Sequence, residues 1–163
     1  MRRALFRALS LVPKIVGRVR GGVFRALVLA AGGRCGPGMR MESGFRLRHG
    51  FHAGLAFGRD VYFGRNTTID CLVGARLTIG SNTTFTQGVF ISVVDALSVG
   101  DNSLIGEYCS LRDANHAIAD LHTPIVDQPM VAQPINIAAN IWLGRGVVVL
   151  AGVSIGPGAV IGA

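Results

Sequence analysis

From Met39 onward an apolar residue returns at every sixth position: Met39, Phe45, Phe51, Phe57, Phe63 and Ile69. After ten residues the beat resumes at Ile79, Phe85 and Ile91, and after eight more at Val99, Ile105 and Leu111. A longer gap precedes Ile137, Leu143, Val149, Ile155 and Ile161. Glycine takes the following position at 58, 64, 80, 100, 106, 144, 156 and 162, and three places further stand small or β-branched residues such as Val61, Thr67, Thr83, Ser103, Cys109 and Val153. A six-residue period is not helical, and a plain alternating strand has no need of glycine at recurring points. The pattern fits a short strand, a sharp turn and another short strand. Three such units close one triangular coil of about 18 residues. The apolar residue points inward, the glycine supplies backbone angles that other residues resist, and the smaller side chain shares the cramped interior. Residues 75–78 and 95–98 fit as bulges at the corners. A β-sandwich with fortuitous spacing does not account for "IWLGRGVVVLAGVSIGPGAVIGA".

The length of 163 residues suits one domain, and 23 glycines with only 15% charged residues favour an all-β column with tight turns over a helical bundle. Residues 1–34 form a separate segment. They hold eight of the sixteen basic residues and no acid, while the remainder carries eight Arg against nine acids. The net charge of +7 therefore belongs to the N-terminal segment and is not a nucleic-acid footprint, which would need a basic stripe and a reading motif. In "MRRALFRALSLVPKIVGRVRGGVFRALVLAAGG" the residues Arg3, Arg7, Lys14, Arg18 and Arg25 occupy one helical face and Leu5, Leu9, Val12, Val16, Val19 and Val23 another. Pro13 and the pair Gly21–Gly22 should kink or divide this helix. It has three readings: a cap over the open end of the column, an interfacial helix on an anionic membrane, or an Arg-rich targeting peptide. Cys35, Cys71 and Cys109 form no CxxC pair and leave one odd, which points to a reducing compartment. The expected location is the cytoplasm, with or without peripheral contact at the inner face of the membrane through residues 1–34.

The beat stops at "SLRDANHAI", where Arg112, Asp113, Asn115 and His116 arrive together. A loop of about residues 112–136 should leave the column there, and loops on rigid scaffolds are common places for reactive groups. The order "LSVGDNSLIGEYCSLRDANH", loop, "QPINIAANIWLGRGVVVLAGVSIGPGAVIGA" resembles the hexapeptide-repeat acyltransferases over roughly residues 39–163. The similar subgroup is that of sugar and polysaccharide O-acetyltransferases. The resemblance implies a left-handed parallel β-helix over residues 35–163, a homotrimer with active sites between subunits, and acetyl-CoA as acyl donor. It also implies His116 as general base for an acceptor hydroxyl, with no metal.

Asp113 would orient the imidazole or cap the turn. Trp142 would wall the acceptor or pantetheine channel, or fill a trimer interface. Gly144, Arg145 and Ala163 fall at cofactor-binding positions by motif, and Arg145 could equally be an exposed corner charge. Asp95 and Asn115 are the acceptor-side candidates. Glu107 reads as a solvated corner residue. Phe90 stands where the subgroup often has an acceptor-binding Asn, which puts a simple sugar in doubt. The family also continues past its "VIGAGS" into a further partial coil with a Thr-Lys pair, while this chain stops at Ala163. That leaves a rival expectation, a noncatalytic trimeric β-helix scaffold or a degenerate, truncated acyltransferase, which would not bind acetyl-CoA in calorimetry. A zinc hydratase on the same scaffold needs histidines on adjacent coils, and His116 and His122 share one loop while His49 and His52 lie several coils away.

Overall fold

The computed structural model describes residues 2–162, with side chains described from Val12 onward. It is a parallel β-solenoid of about six turns preceded by one helix, Arg2–Ala30. Three sheets form the faces of the column. The first stacks Arg34–Cys35, Leu55–Phe57, Arg76–Ile79, Ala96–Val99, Ile135–Ile137 and Ser154–Ile155. The second stacks Arg40–Met41, Tyr62–Phe63, Thr84–Phe85, Leu104–Ile105, Trp142–Leu143 and Val160–Ile161. The third stacks Arg46–Leu47, Thr68–Cys71, Phe90–Val93, Ser110–Arg112 and Val148–Val149. Coil-to-coil hydrogen bonds such as Gly80 N–H to the Val99 carbonyl (2.7 Å) and Gly100 N–H to the Ile137 carbonyl (2.8 Å) join the layers.

The predicted inward positions from Phe57 onward pair with one another: Phe57 with Ile79, Phe63 with Phe85, Ile69 with Ile91, Val99 with Ile137 and Leu143 with Ile161. Before Phe57 the register differs by two residues. Cys35 pairs with Phe57, Met41 with Phe63 and Leu47 with Ile69. Met39 and Phe45 therefore occupy the second inward site of their units, the one filled by Val61 or Thr67 later in the chain, whereas Phe51 lies exposed in the corner between Leu47 and Leu55. Both sites accept apolar residues four apart, so a period of six leaves their order ambiguous wherever both are large. The extra residues are also placed differently. Residues 76–79 and 96–99 are strand on the first face, and the excess lies just before them. Every excursion uses the corner between the third and first faces, which is longer after Leu47 than after Cys71 or Val93 and extends into a long arm after Arg112.

The corner glycines act by a different means from the one expected. Gly80 and Gly100 do not adopt positive φ. A Cβ on Gly80 would stand 2.6 Å from the Gly100 carbonyl carbon, and one on Gly100 would stand 2.6 Å from that of Ala138. They are required because the next coil passes too close for a side chain. The left-handed conformation falls two residues later, at Asn82 (φ 53°) and Asn102 (57°), where short polar side chains tolerate it best.

The helix is continuous through Pro13 and Gly21–Gly22 rather than divided. Gly17, Gly21, Phe24 and Val28 face the first coil and are buried. Gly21 lies so near the Met39 carbonyl oxygen that no side chain would fit. The Phe24 ring meets Phe45, Phe51 and Phe57 at 5.3–5.5 Å between centroids. Phe63 and Phe85 continue this aromatic column, stacked at 5.1 Å. The buried rings Phe24, Phe57, Phe63 and Phe85 each contribute roughly 1.5–3 kcal/mol. The helix thus caps the first coil, the first of the three readings of the N-terminal segment.

Candidate active site

The interruption at residue 112 is a projecting arm, not an irregular loop. Ala114–His116 pairs antiparallel with Met130–Ala132, with Ala114 opposite Ala132, Asn115 opposite Val131 and His116 opposite Met130. The tip holds one 3₁₀ turn, Ile125–Asp127. Two bonds extend the pairing at either end, Ala117 N–H to the Pro129 carbonyl (2.8 Å) and Gln133 N–H to the Asp113 carbonyl (2.8 Å). The chain rejoins the column at Ile135–Ile137.

His116 is exposed on this ribbon, and its Nδ1 lies 3.3 Å from the backbone carbonyl oxygen of Gln128. A carbonyl can only accept, so this bond places the proton on Nδ1 and leaves the Nε2 lone pair free. Gln128 is held in turn. Its side chain is buried, and its Nε2 donates to the carbonyls of Asp120 (2.8 Å) and Thr123 (2.9 Å). The Asp120 carboxylate accepts from the Thr123 hydroxyl at 2.6 Å and the His122 N–H at 2.9 Å, and these bonds lower its pKa. The arm tip is therefore tied by its own polar groups, and Gln128 is the residue that sequence reasoning missed. Its role comes through a main-chain atom, which no side-chain motif announces.

Asp113 does not hold the His116 ring. It is fully buried, and its carboxylate accepts from the N–H groups of Val94 (2.8 Å), Asp95 (2.9 Å) and Ala96 (2.9 Å). Among the described residues no hydrogen bond joins it to His116. The reason is phase. Cys71 and Val93, each two residues beyond an inward isoleucine, form a buried column, and Asp113 stands two beyond Leu111 in the same place. A carboxylate driven inward there meets the amides of the preceding coil's corner. Asp113 anchors the foot of the arm to the column, the capping role foreseen beside the orienting one.

The remaining candidates do not gather around the His116 ring. Asn115 is its neighbour in sequence, but strand alternation sends it to the opposite side of the ribbon from His116. Asp95 sits at the arm's foot with its carboxylate 3.5 Å from the Arg76 guanidinium. Phe90 lies beneath the Arg112 guanidinium at 5.0 Å. Trp142 is half exposed on the second face between Leu104 and Val160. Gly144 and Arg145 follow at the corner between the second and third faces, the guanidinium lying 5.3 Å over the Tyr108 ring. The arm leaves from the other end of the third face, so one protomer does not bring Trp142, Gly144 and Arg145 to His116. Ala163 lies outside the described residues. Glu107 is a partly exposed corner residue, as expected.

A column of hexapeptide coils with a histidine-bearing arm defines a class, and the comparisons point to the same one. No family model matches the chain. The chain is similar in sequence to the galactoside O-acetyltransferase of Escherichia coli, 35% identical over 92 residues, 55% of this chain and 43% of that protein. It is also similar to a probable acetyltransferase of Mycobacterium tuberculosis, 36% identical over 66 residues, 40% of this chain and 22% of that protein. The chain spans less than half the length of these curated relatives. Among solved structures it resembles a hexapeptide-repeat acetyltransferase of Vibrio cholerae complexed with acetyl-CoA, with TM-score 0.56 and 26% identity over 66% of this chain and 56% of that one. It shares the fold alone with the N-acyltransferase AntD of Bacillus cereus, solved with dTDP and coenzyme A, at TM-score 0.65 and 14% identity over 80% and 70% of the two chains. The chain is thus similar in sequence and fold to hexapeptide-repeat acetyltransferases.

Proposed function

We propose that the protein is an acetyl-CoA-dependent O-acetyltransferase acting on a hydroxyl of a saccharide or polysaccharide, with His116 as general base. The observation that carries this reading is the contact between His116 Nδ1 and the Gln128 carbonyl, which leaves Nε2 available to take a proton. As the acceptor oxygen attacks the thioester carbonyl, Nε2 takes the hydroxyl proton. It returns that proton to the thiolate as the carbon–sulfur bond breaks, so charge and atoms balance. A base so placed is worth roughly 10²–10⁴-fold. The leaving thiol, of pKa about 8.5, needs no strong acid.

The acyl donor fits the corners. Gly144, at the corner after Trp142–Leu143, would let a thin pantetheine arm lie against main-chain groups, and Arg145 would meet a phosphate. Separation of His116 from Trp142 and Arg145 within one protomer supports a homotrimer whose sites lie between subunits. The exposed apolar residues Leu104, Trp142 and Val160 on one face, and Leu121, Val126 and Met130 on the arm, give such an assembly surface to bury. Asp95 and Asn115 remain acceptor-side candidates on the arm and its foot.

Incubation with labelled acetyl-CoA and a panel of saccharide acceptors tests the reading. Transfer should fall about 10²–10⁴-fold in His116→Ala while acetyl-CoA binding and sedimentation stay unchanged. Undiminished transfer in that variant refutes His116 as base, and failure of the parent chain to bind acetyl-CoA refutes the reading as a whole.

A further inference from the structure

The helix Arg2–Ala30 meets two environments. One face, with Phe24 and Val28, is buried on the first coil. Turned away from it are Val12, Ile15, Val19 and Val23, each more than half exposed. At 3.6 residues per turn this stripe is centred on the side opposite the buried face. A helix on a globular surface normally presents polar residues there. Here the polar residues stand at the margins instead, with Lys14 and Arg18 along one edge and Arg20 along the other, all exposed. A largely apolar cleft of about 400 Å³, whose lining includes Val19, Val23, Phe24 and Phe45 together with Arg20 and Glu42, continues the stripe toward the first coil, and the Glu42 carboxylate is paired with Arg65.

The charge on the column has the same polarity. Arg34, Arg40 and Arg46 stand exposed on the first strand of the first, second and third faces, a cationic rim beneath the helix. Residues 1–65 hold thirteen of the sixteen basic residues and two of the nine acids, whereas residues 66–163 hold three basic residues and seven acids. Two copies meeting through this end would oppose like charges, so self-association is disfavoured there. An anionic bilayer satisfies both the stripe and its cationic margins. No helix among the described residues is long and apolar enough to cross a membrane, so the contact would lie in the interface.

We propose that the N-terminal end of the column docks on an anionic phospholipid surface. The stripe Val12–Ile15–Val19–Val23 enters the headgroup–acyl boundary, and Lys14, Arg18, Arg20 and the Arg34–Arg40–Arg46 rim meet lipid phosphates. The column then stands on the membrane with its arm raised above it. The arm departs from the fourth coil, and a coil spacing of about 4.8 Å puts its root roughly 15 Å above the first coil. This docking is independent of the acyltransferase reading.

Flotation of the full chain with vesicles tests it. Binding is expected to vesicles containing about one-third phosphatidylglycerol and not to phosphatidylcholine alone, and it should weaken steeply in high salt. Each basic residue near the surface is worth about fivefold in partitioning. The triple variant Arg18→Gln, Arg20→Gln, Arg34→Gln should therefore lose about two orders of magnitude. Val19→Asn with Val23→Asn should reduce binding at least tenfold with a melting curve little changed, since both side chains are more than half exposed. Equal binding to neutral vesicles overturns the proposal, as does unaltered binding by the asparagine variant. A change of oligomeric state in that variant without vesicle binding by the parent would show a protein–protein surface, and also overturns it.

Discussion

Removing the Asp113 carboxylate should separate an anchor from a catalytic orienter. The group is fully buried and accepts three main-chain hydrogen bonds, one on Oδ1 from Val94 and two on Oδ2 from Asp95 and Ala96. Hydrogen bonds to a charged acceptor contribute about 1.5–3 kcal/mol each, and a buried donor left unpaired costs about 1–3 kcal/mol. Three orphaned amides in Asp113→Ala, partly relieved by entering water, should cost about 3–5 kcal/mol. Asp113→Asn can keep its carbonyl oxygen where Oδ2 stands, retaining the Asp95 and Ala96 bonds. It loses the Val94 bond and opposes an NH₂ to that amide, at a cost of about 1–2 kcal/mol. The assay is urea unfolding at fixed protein concentration, reading midpoint and slope. The graded order Ala worse than Asn, each with a cost in stability, supports the anchor. Asn and Ala variants of full stability, with transfer lost and the pH profile of the remaining activity shifted, would refute it and return Asp113 to the imidazole.

Two glycines should respond oppositely to alanine. Gly80→Ala drives a methyl to 2.6 Å from the Gly100 carbonyl carbon and should cost more than about 2 kcal/mol. Gly22→Ala, exposed on the helix, meets nothing within 4 Å and should be neutral or stabilising by up to about 1 kcal/mol, measured as urea midpoints. Burial, with smaller help from the Asp113 and Asp70 carboxylates, pushes the Cys71 thiol up to about 12 from an ordinary 9.0. The folded state therefore keeps a proton that the unfolded chain releases above pH 9. Stability should be intact below pH 9 and decline between 9 and 12, by up to about 1.4 kcal/mol per pH unit for this group. Cys71 should also resist alkylation at pH 8 until the chain unfolds, and rapid native labelling at Cys71 would contradict its burial.

Most of the column is legible in the sequence because its physics is local and repeated. The six-residue beat of inward residues within each coil from Phe57 to Ile161 is a consequence of strand and turn lengths, and it needs no knowledge of partners. The register before Phe57 is not legible in this way. Met39, Phe45 and Phe51 obey the same period as Cys35, Met41 and Leu47, and only pairing with the second coil distinguishes the two sets. The corner glycines are legible as a pattern but not as a cause. Close approach of the neighbouring coil, rather than φ, excludes a side chain at Gly80 and Gly100.

The site divides along the same line. His116 is legible because it breaks the beat, and the arm because the beat resumes 26 residues later, from Leu111 to Ile137. What the amino-acid order determined by itself is the solenoid, its basic helical preface and the place where the repeat is breached. The tertiary structure decided which way Asp113 points, that a main-chain carbonyl of Gln128 meets the imidazole, and that the helix buries one apolar face while presenting another. These depend on which groups lie opposite one another across coils some 20 residues apart in sequence, and spacing along a chain carries no information about distances across it.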